Sequence, residues 1–150
     1  MLTDELRPDA VARRRRTNQR TTRENIAQLV DPGMFAEYGG LVLAARRRTV
    51  DMNELIHTTQ ADGLIAGTAQ VNGTLFPPDK ARVAVLAYDY TVLAGTQGKK
   101  GHEKDRMFRL AEQWRMPTVM FAEGGGGRGS DTDAFSVGRS NLTPSIVSPV

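Results

Sequence analysis

The stretch Thr118-Val119-Met120-Phe121-Ala122-Glu123-Gly124-Gly125-Gly126-Gly127-Arg128 decides how this chain is read. Thr118 to Phe121 is β-branched or apolar and predicts a buried strand. Four consecutive glycines follow it, so the peptide groups of the turn carry no side chain over them. N–H groups that converge in such a turn bind a negative oxygen, either a phosphate or an oxyanion formed during a reaction. Arg128, just beyond, adds positive charge. A flexible linker is the alternative for any glycine run; the strand leading directly into this one argues against it.

Working outward toward the N-terminus, Pro117 ends a helix predicted from about His102 to Trp114. Met107, Leu110, Ala111 and Trp114 fall on one face of it at i, i+3, i+4 and i+7. Ahead of the helix lies a glycine-containing loop, Ala94 to Gly101. Val83 to Tyr88 is almost continuously apolar, as a strand buried on both faces should be, and Asp89 to Leu93 is read as its extension. Leu64 to Val71 and Thr74 to Phe76 flank Asn72-Gly73, a hairpin signal because both central residues of a type I′ turn need positive φ; Pro77-Pro78-Asp79 then ends the hairpin. The order is strand–strand–helix–strand, an α/β arrangement with a crossover helix packed on a sheet.

The first half is less regular. Residues 1–12 contain Pro8, show no period and are expected to form a flexible lead-in. Thr21-Thr22-Arg23-Glu24 is a capping box that opens a short helix carrying Ile26, Leu29 and Val30, and Asp31-Pro32-Gly33 stops it. Phe35 to Leu43 is expected to be extended in part, and Val50 to His57 helical, with His57 a packing or surface histidine. Ala134 to Val150 is rich in Ser and Pro and is expected to be a disordered tail.

Composition narrows the chemistry. There is no cysteine and there are only two histidines, which excludes disulfides, thiolate zinc sites and histidine-rich metal clusters. No stretch has the apolar length of a membrane span, and Met1 to Leu6 is unlike a signal peptide, so a cytoplasmic or organellar-matrix location is expected. The net charge of +3 is concentrated in Arg13 to Arg16, Arg46 to Arg48 and Lys99-Lys100. Such runs suit nucleic acid or the phosphates of a nucleotide-bearing cofactor, or are simply solvated faces.

Several motifs fail at the glycine turn. Arg128-Gly129-Ser130 stands where a phosphate-binding P-loop needs lysine and a hydroxyl. The glycines are contiguous and late in the chain, unlike a dinucleotide fingerprint, and no serine elbow is present. Glu123, Asp131 and Asp133 are carboxylates in a polar loop, for which solvation is the expected state, and no metal is predicted. A hole for an oxyanion, made of backbone N–H groups alone, survives this elimination.

Four segments together resemble the carboxyltransferase of biotin-dependent acyl-CoA carboxylases, in its N-terminal half. They are Thr22 to Ala27 with Asp31 to Tyr38, then Ala61-Asp62-Gly63-Leu64-Ile65-Ala66-Gly67, then Tyr88 to Gly98, and last Phe121 to Arg128. The order matches, coverage is roughly residues 13–133, and the versions Ala94 to Gly98 and Glu123 to Arg128 look most like the large, multidomain carboxylases. The resemblance implies a partial crotonase-like (ClpP/crotonase) fold of strand–strand–helix units. It implies transfer of a carboxyl group from carboxybiotin, carried on a biotin carboxyl carrier, to the α-carbon of an acyl-CoA. The N-terminal half would hold the CoA thioester, and a homologous half on a partner subunit would hold the biotin. A biotin carboxylase component is the further partner. The family's glycine pair that donates N–H groups to the thioester oxygen falls on Gly125 and Gly126, within one position.

The family's half-domain continues well past the glycine turn, whereas Ala134 to Val150 does not resemble that continuation. The chain is therefore expected to be a truncated carboxyltransferase, inactive alone. The alternatives are a non-catalytic remnant that only pairs with carboxylase subunits, and a small arginine-rich nucleic-acid-binding protein, for which stacking aromatics beside the arginine runs are lacking.

Overall fold

The structure, a computed structural model, describes residues 3–98, 103–129 and 131. Besides short 3-10 turns, the α-helices and strands of the described residues follow in the order α1 (Pro8–Arg16), α2 (Thr22–Leu29), β1 (Phe35–Tyr38), α3 (Met52–Thr58), β2 (Leu64–Gln70), α4 (Pro78–Ala81), β3 (Arg82–Tyr88), α5 (Glu103–Trp114) and β4 (Thr118–Phe121). The strands form one sheet in the order β1-β2-β3-β4. β1 with β2 and β2 with β3 are antiparallel, and β3 with β4 is parallel, α5 making the crossover. This is the α/β arrangement read from the sequence.

Alternation along β2 and β3 separates two cores, as the period of a strand requires. Leu64, Ala66, Ala84, Leu86 and Tyr88 point to one face and pack with Met107, Ala111 and Met116 of the α5 layer. Ile65, Ala69, Val83, Val85 and Ala87 point to the other and pack with Ile26 of α2. Val83 to Tyr88 is thus covered on both sides, which is why it reads as a continuous apolar run. β4 departs from its reading: its residues alternate between exposed and half-buried, because it stands at the sheet margin with β3 as its strand neighbour among the described residues.

The Asn72-Gly73 hairpin is also corrected. Asn72 has φ 57°, but Gly73 is not among the positive-φ residues, so the turn is not type I′. The Asp31 carboxylate accepts from the Asn72 and Gly73 N–H groups at 3.0 and 2.7 Å and shapes the turn instead. Thr74 to Phe76 forms no strand, since Pro77 and Pro78 leave no room for a ladder, and β2 pairs with β3 across a longer connection. Nor does Asp89 extend β3: it starts a turn, with its carboxylate accepting from the Thr91 N–H at 3.0 Å.

Within the described residues, the lead-in is folded rather than loose. A short 3-10 turn at Asp4–Leu6 precedes α1, which begins at Pro8, where a missing N–H costs nothing. Arg7 is buried and donates to Asp89 at 3.1 Å, Thr91 at 3.1 Å, Asp4 at 3.2 Å and Gln60 at 3.3 Å. Those long-range contacts override the absent periodicity. The tail 134–150, Asp133, Ser130, Lys99-Lys100 and His102 lie outside the described residues.

The capping box forms as read: Thr21 Oγ1 accepts from the Glu24 N–H at 3.2 Å, and the Glu24 carboxylate accepts from the Thr21 N–H at 2.8 Å. That backbone hydrogen bond, assisted by Arg15, lowers the Glu24 pKa from its ordinary 4.5. A folded pKa below the unfolded one adds stability above the unfolded value and loses it as pH falls through the folded value. Thr21→Ala is expected to cost about 1–2 kcal/mol, read as a drop in the urea midpoint at neutral pH. A change within error would show that the box is not holding α2.

Candidate functional site

Three backbone segments meet at the carboxyl ends of β3 and β4. The first is the turn Gln60–Gly63 ahead of β2, in which Ala61, Asp62 and Gly63 have φ of 49°, 49° and 77°. The second follows β3, where Leu93, Ala94 and Gly95 have φ of 47°, 54° and 63°. Three successive left-handed residues, two of them carrying a Cβ, are costly, and each run persists only because its surroundings hold it. The third is the glycine turn after β4.

The second and third segments interlock through the backbone. Gly125 N–H donates to the Ala94 carbonyl at 3.2 Å, Gln97 N–H to the Gly126 carbonyl at 2.8 Å, and Arg128 N–H to the Gln97 carbonyl at 2.8 Å. A Cβ on Gly95 would lie 2.5 Å from the Glu123 carbonyl oxygen, and one on Gly124 2.3 Å from the Gly95 carbonyl oxygen. Only glycine fits at that crossing.

Arg128 ties in the first segment. Its Nη1 donates to Asp62 Oδ1 at 2.6 Å and Asp131 Oδ1 at 3.3 Å, its Nη2 to the carbonyls of Thr96 at 2.8 Å and Asp62 at 3.3 Å, and its Nε to Thr96 Oγ1 at 3.3 Å. These bonds use the guanidinium's full set of donors. The three side chains are 4%, 0% and 4% exposed for Arg128, Asp62 and Asp131. Arg128 is therefore not the free cation beside the turn that the sequence suggested: its charge is matched by buried carboxylates. Gly98 leaves space for them, since a Cβ there would come within 2.6 Å of Asp62 Oδ2 and 2.7 Å of Asp131 Oδ2.

The other side of the turn is held from α1. Arg14, buried within the run Arg13 to Arg16, donates from Nη2 to both Glu123 carboxylate oxygens at 2.7 and 2.8 Å and lies 5.6 Å over the Tyr90 ring. Arg13, Arg15 and Arg16 are exposed. Glu123 and Asp131 thus face arginines, and His57 is on the exposed side of α3.

Of the two glycines expected to donate to an oxyanion, Gly125 has its N–H on Ala94, whereas Gly126 N–H has no acceptor among the described residues. Both are exposed, and Gly126 has φ 89° with nothing within 4 Å of a Cβ position. The supporting residues Asp62, Arg14 and Asp131 were missed. Asp62 had a signal, standing in Ala61-Asp62-Gly63 before a strand; Arg14 and Asp131 had none beyond their charge.

An α/β sheet with a rigid, backbone-lined turn at the carboxyl ends of its parallel strands is the class of site that binds ligand oxygens through peptide groups. No family model matches the chain. It is 32% identical over 120 residues to the propionyl-CoA carboxylase beta chain of Saccharopolyspora erythraea, covering 79% of this chain and 20% of that protein. It is 32% identical over 123 residues to the biotin-dependent long chain acyl-coenzyme A carboxylase beta4 subunit of Mycobacterium tuberculosis, covering 81% of this chain and 21% of that one. A solved single-chain, multi-domain long-chain acyl-CoA carboxylase superposes with a TM-score of 0.82 at 57% identity, over 87% of this chain and 13% of the other. The chain is a homologue of the biotin-dependent acyl-CoA carboxylase carboxyltransferases, and spans about a fifth of the length of the curated relatives it matches.

Proposed function

We propose that residues 13–133 form the acyl-CoA-binding, N-terminal portion of a carboxyltransferase with a crotonase-like fold, and that the glycine turn receives the thioester oxygen. The observation that carries this is the N–H of the exposed Gly126, without an acceptor among the described residues, on a turn held by the Arg14–Glu123 and Arg128–Asp62 ion pairs. Deprotonation at the α-carbon puts charge on the thioester oxygen, and a donor already aimed there stabilises the enolate without reorganising. Loss of one such donor in other enzymes costs on the order of 100- to 1000-fold in rate. Gly125 joins as second donor if its bond to Ala94 is exchanged for one to the ligand.

In the net reaction the carboxyl group exchanges a C–N bond to biotin for a C–C bond to the acyl α-carbon, and the displaced proton ends on the nitrogen. No residue of this chain is assigned to the biotin. A second carboxyltransferase half, a biotin carboxyl carrier and a biotin carboxylase are the partners this role requires, and the cytoplasm the location it fits. The nucleic-acid alternative loses two of its cations, because Arg14 and Arg128 are buried against carboxylates. The pairing remnant differs in lacking acyl-CoA binding.

Amide NMR of the labelled chain titrated with propionyl-CoA tests the proposal. Saturable shifts centred on Gly124 to Arg128 are expected. A dispersed spectrum that ignores the ligand would sink it in favour of the remnant.

A further inference from the structure

The turn at Asn72-Gly73, remote from the glycine turn, has a chemistry of its own. Asn72 is exposed and held at φ 57°. A glycine nitrogen can attack the side-chain carbon of the asparagine before it, because no Cβ obstructs the approach. The attacking species is the deprotonated amide. A bond forms between Gly73 N and Asn72 Cγ, the bond from Cγ to the side-chain nitrogen breaks, and ammonia leaves with the amide proton. The five-membered imide then takes up one water and opens to aspartate or isoaspartate.

Two restraints oppose that reaction. Asp31 Oδ2 accepts from the Gly73 N–H at 2.7 Å, and Oδ1 from the Asn72 N–H at 3.0 Å. Taking the proton from Gly73 would set an amide anion against a carboxylate, and a neighbouring like charge disfavours ionisation. Ring closure also requires the peptide between the two residues to rotate, so that its nitrogen swings toward Cγ. The Asn72 carbonyl in that peptide accepts from the Leu75 N–H at 2.9 Å and the Phe76 N–H at 3.1 Å, and rotation breaks both bonds. Glycine serves the restraint as well as the attack: a Cβ on residue 73 would stand 2.9 Å from Asp31 Oδ2. Asp31 is itself fixed, its N–H donating to the Gln70 carbonyl at 2.8 Å.

We propose that Asn72 is a latent deamidation site, held shut by the Asp31 carboxylate and irreversibly opened once it converts. The product carries a carboxylate at position 72 beside Asp31, and like charges on one turn loosen the grip. Isoaspartate also lengthens the backbone by a carbon. The change reaches the sheet, because the 31–34 loop leads into β1 and is bonded to Gln70 at the end of β2, whose N–H donates to the Met34 carbonyl at 3.0 Å.

The full chain is aged in mildly alkaline buffer, native and in denaturing urea, and conversion of Asn72 is followed by peptide mass and isoaspartate content. Native protein is expected to convert at least about tenfold more slowly than unfolded protein, as when a neighbouring charge moves the amide's ionisation by about one pKa unit. Asp31→Asn keeps the shape and an acceptor without the charge. It cannot close a ring of its own, because Pro32 has no N–H to lose. This variant is expected to convert about tenfold faster than wild type with its amide spectrum still dispersed, and Gly73 hydrogen exchange should accelerate in step. Equal rates in native and unfolded wild type would overturn the proposal. So would a folded Asp31→Asn that converts as slowly as wild type, since the Leu75 and Phe76 bonds would then be the restraint. A wild-type Gly73 amide that exchanges as fast natively as in urea would overturn it without reference to any variant.

Discussion

Replacing Arg128 by alanine is expected to cost about 3–5 kcal/mol of folding stability, the usual result of removing one partner from a buried ion pair. The reason is what stays behind. Asp62, 0% exposed, and Asp131, 4% exposed, would be two carboxylates packed together without their shared cation. The carbonyls of Thr96 and Asp62 and the Thr96 hydroxyl would lose their donor in the same step. Arg128→Lys restores a charge but only a compact three-donor head, so it should recover the pairing with Asp62 and not the contacts to Thr96. Urea unfolding of the variants, with the Gly126 amide shift read in parallel, checks both. Loss of less than 1 kcal/mol in Arg128→Ala would show that the cluster is solvated in solution. A moved Gly126 resonance in Arg128→Lys, with most stability recovered, would show that the guanidinium geometry, beyond its charge, sets the turn.

How far the sequence could be read follows from which forces are local. Val83 to Tyr88 declared itself because a strand covered on both faces has no polar positions to break its run, and Thr21 to Glu24 because a capping box spans four adjacent residues. The glycine turn was legible as a bare backbone, and its family followed from the order of four segments. Its rigidity was not legible. It comes from Arg14 reaching 109 residues along the chain to Glu123, and from Arg128 reaching 66 back to Asp62. The Asn72-Gly73 hairpin failed for the same reason, since Asp31, 41 residues away, reshapes a turn whose own two residues favour another form. Residues 1–12 showed no period because what orders the segment from Asp4 on, Arg7 and Arg14, is a pair of single charged side chains rather than an apolar stripe. Arginine runs are ambiguous in sequence because burial of one member, Arg14, is decided by a carboxylate elsewhere.

The crossing of the 93–98 loop and the glycine turn allows a sharper test, because neighbouring glycines there should respond oppositely. Gly95→Ala is expected to destabilise the protein by about 2–4 kcal/mol, combining the cost of a Cβ at a left-handed residue with that of overpacking. The new Cβ would sit 2.5 Å from the Glu123 carbonyl oxygen and 3.0 Å from Gly124 Cα, both backbone atoms that move only if the turn moves. Gly127→Ala, by contrast, meets nothing within 4 Å and has no positive φ, so it should stay within about 0.5 kcal/mol of the parent. Both are alanines added within one small site, so general intolerance of the loop predicts equal losses, and interlocking predicts a wide gap. Comparable urea midpoints for the two variants would sink the interlock. A gap of the expected size, with the Gly126 amide displaced in Gly95→Ala alone, would mean that the 93–98 loop is the mould against which the Gly126 N–H, the proposed oxyanion donor, is held. The tight fit then explains the two costly left-handed runs: Leu93 and Ala94 bend the chain so that Gly95 can pass under Gly124, and Ala61 and Asp62 bend it so that a carboxylate meets Arg128 from the far side.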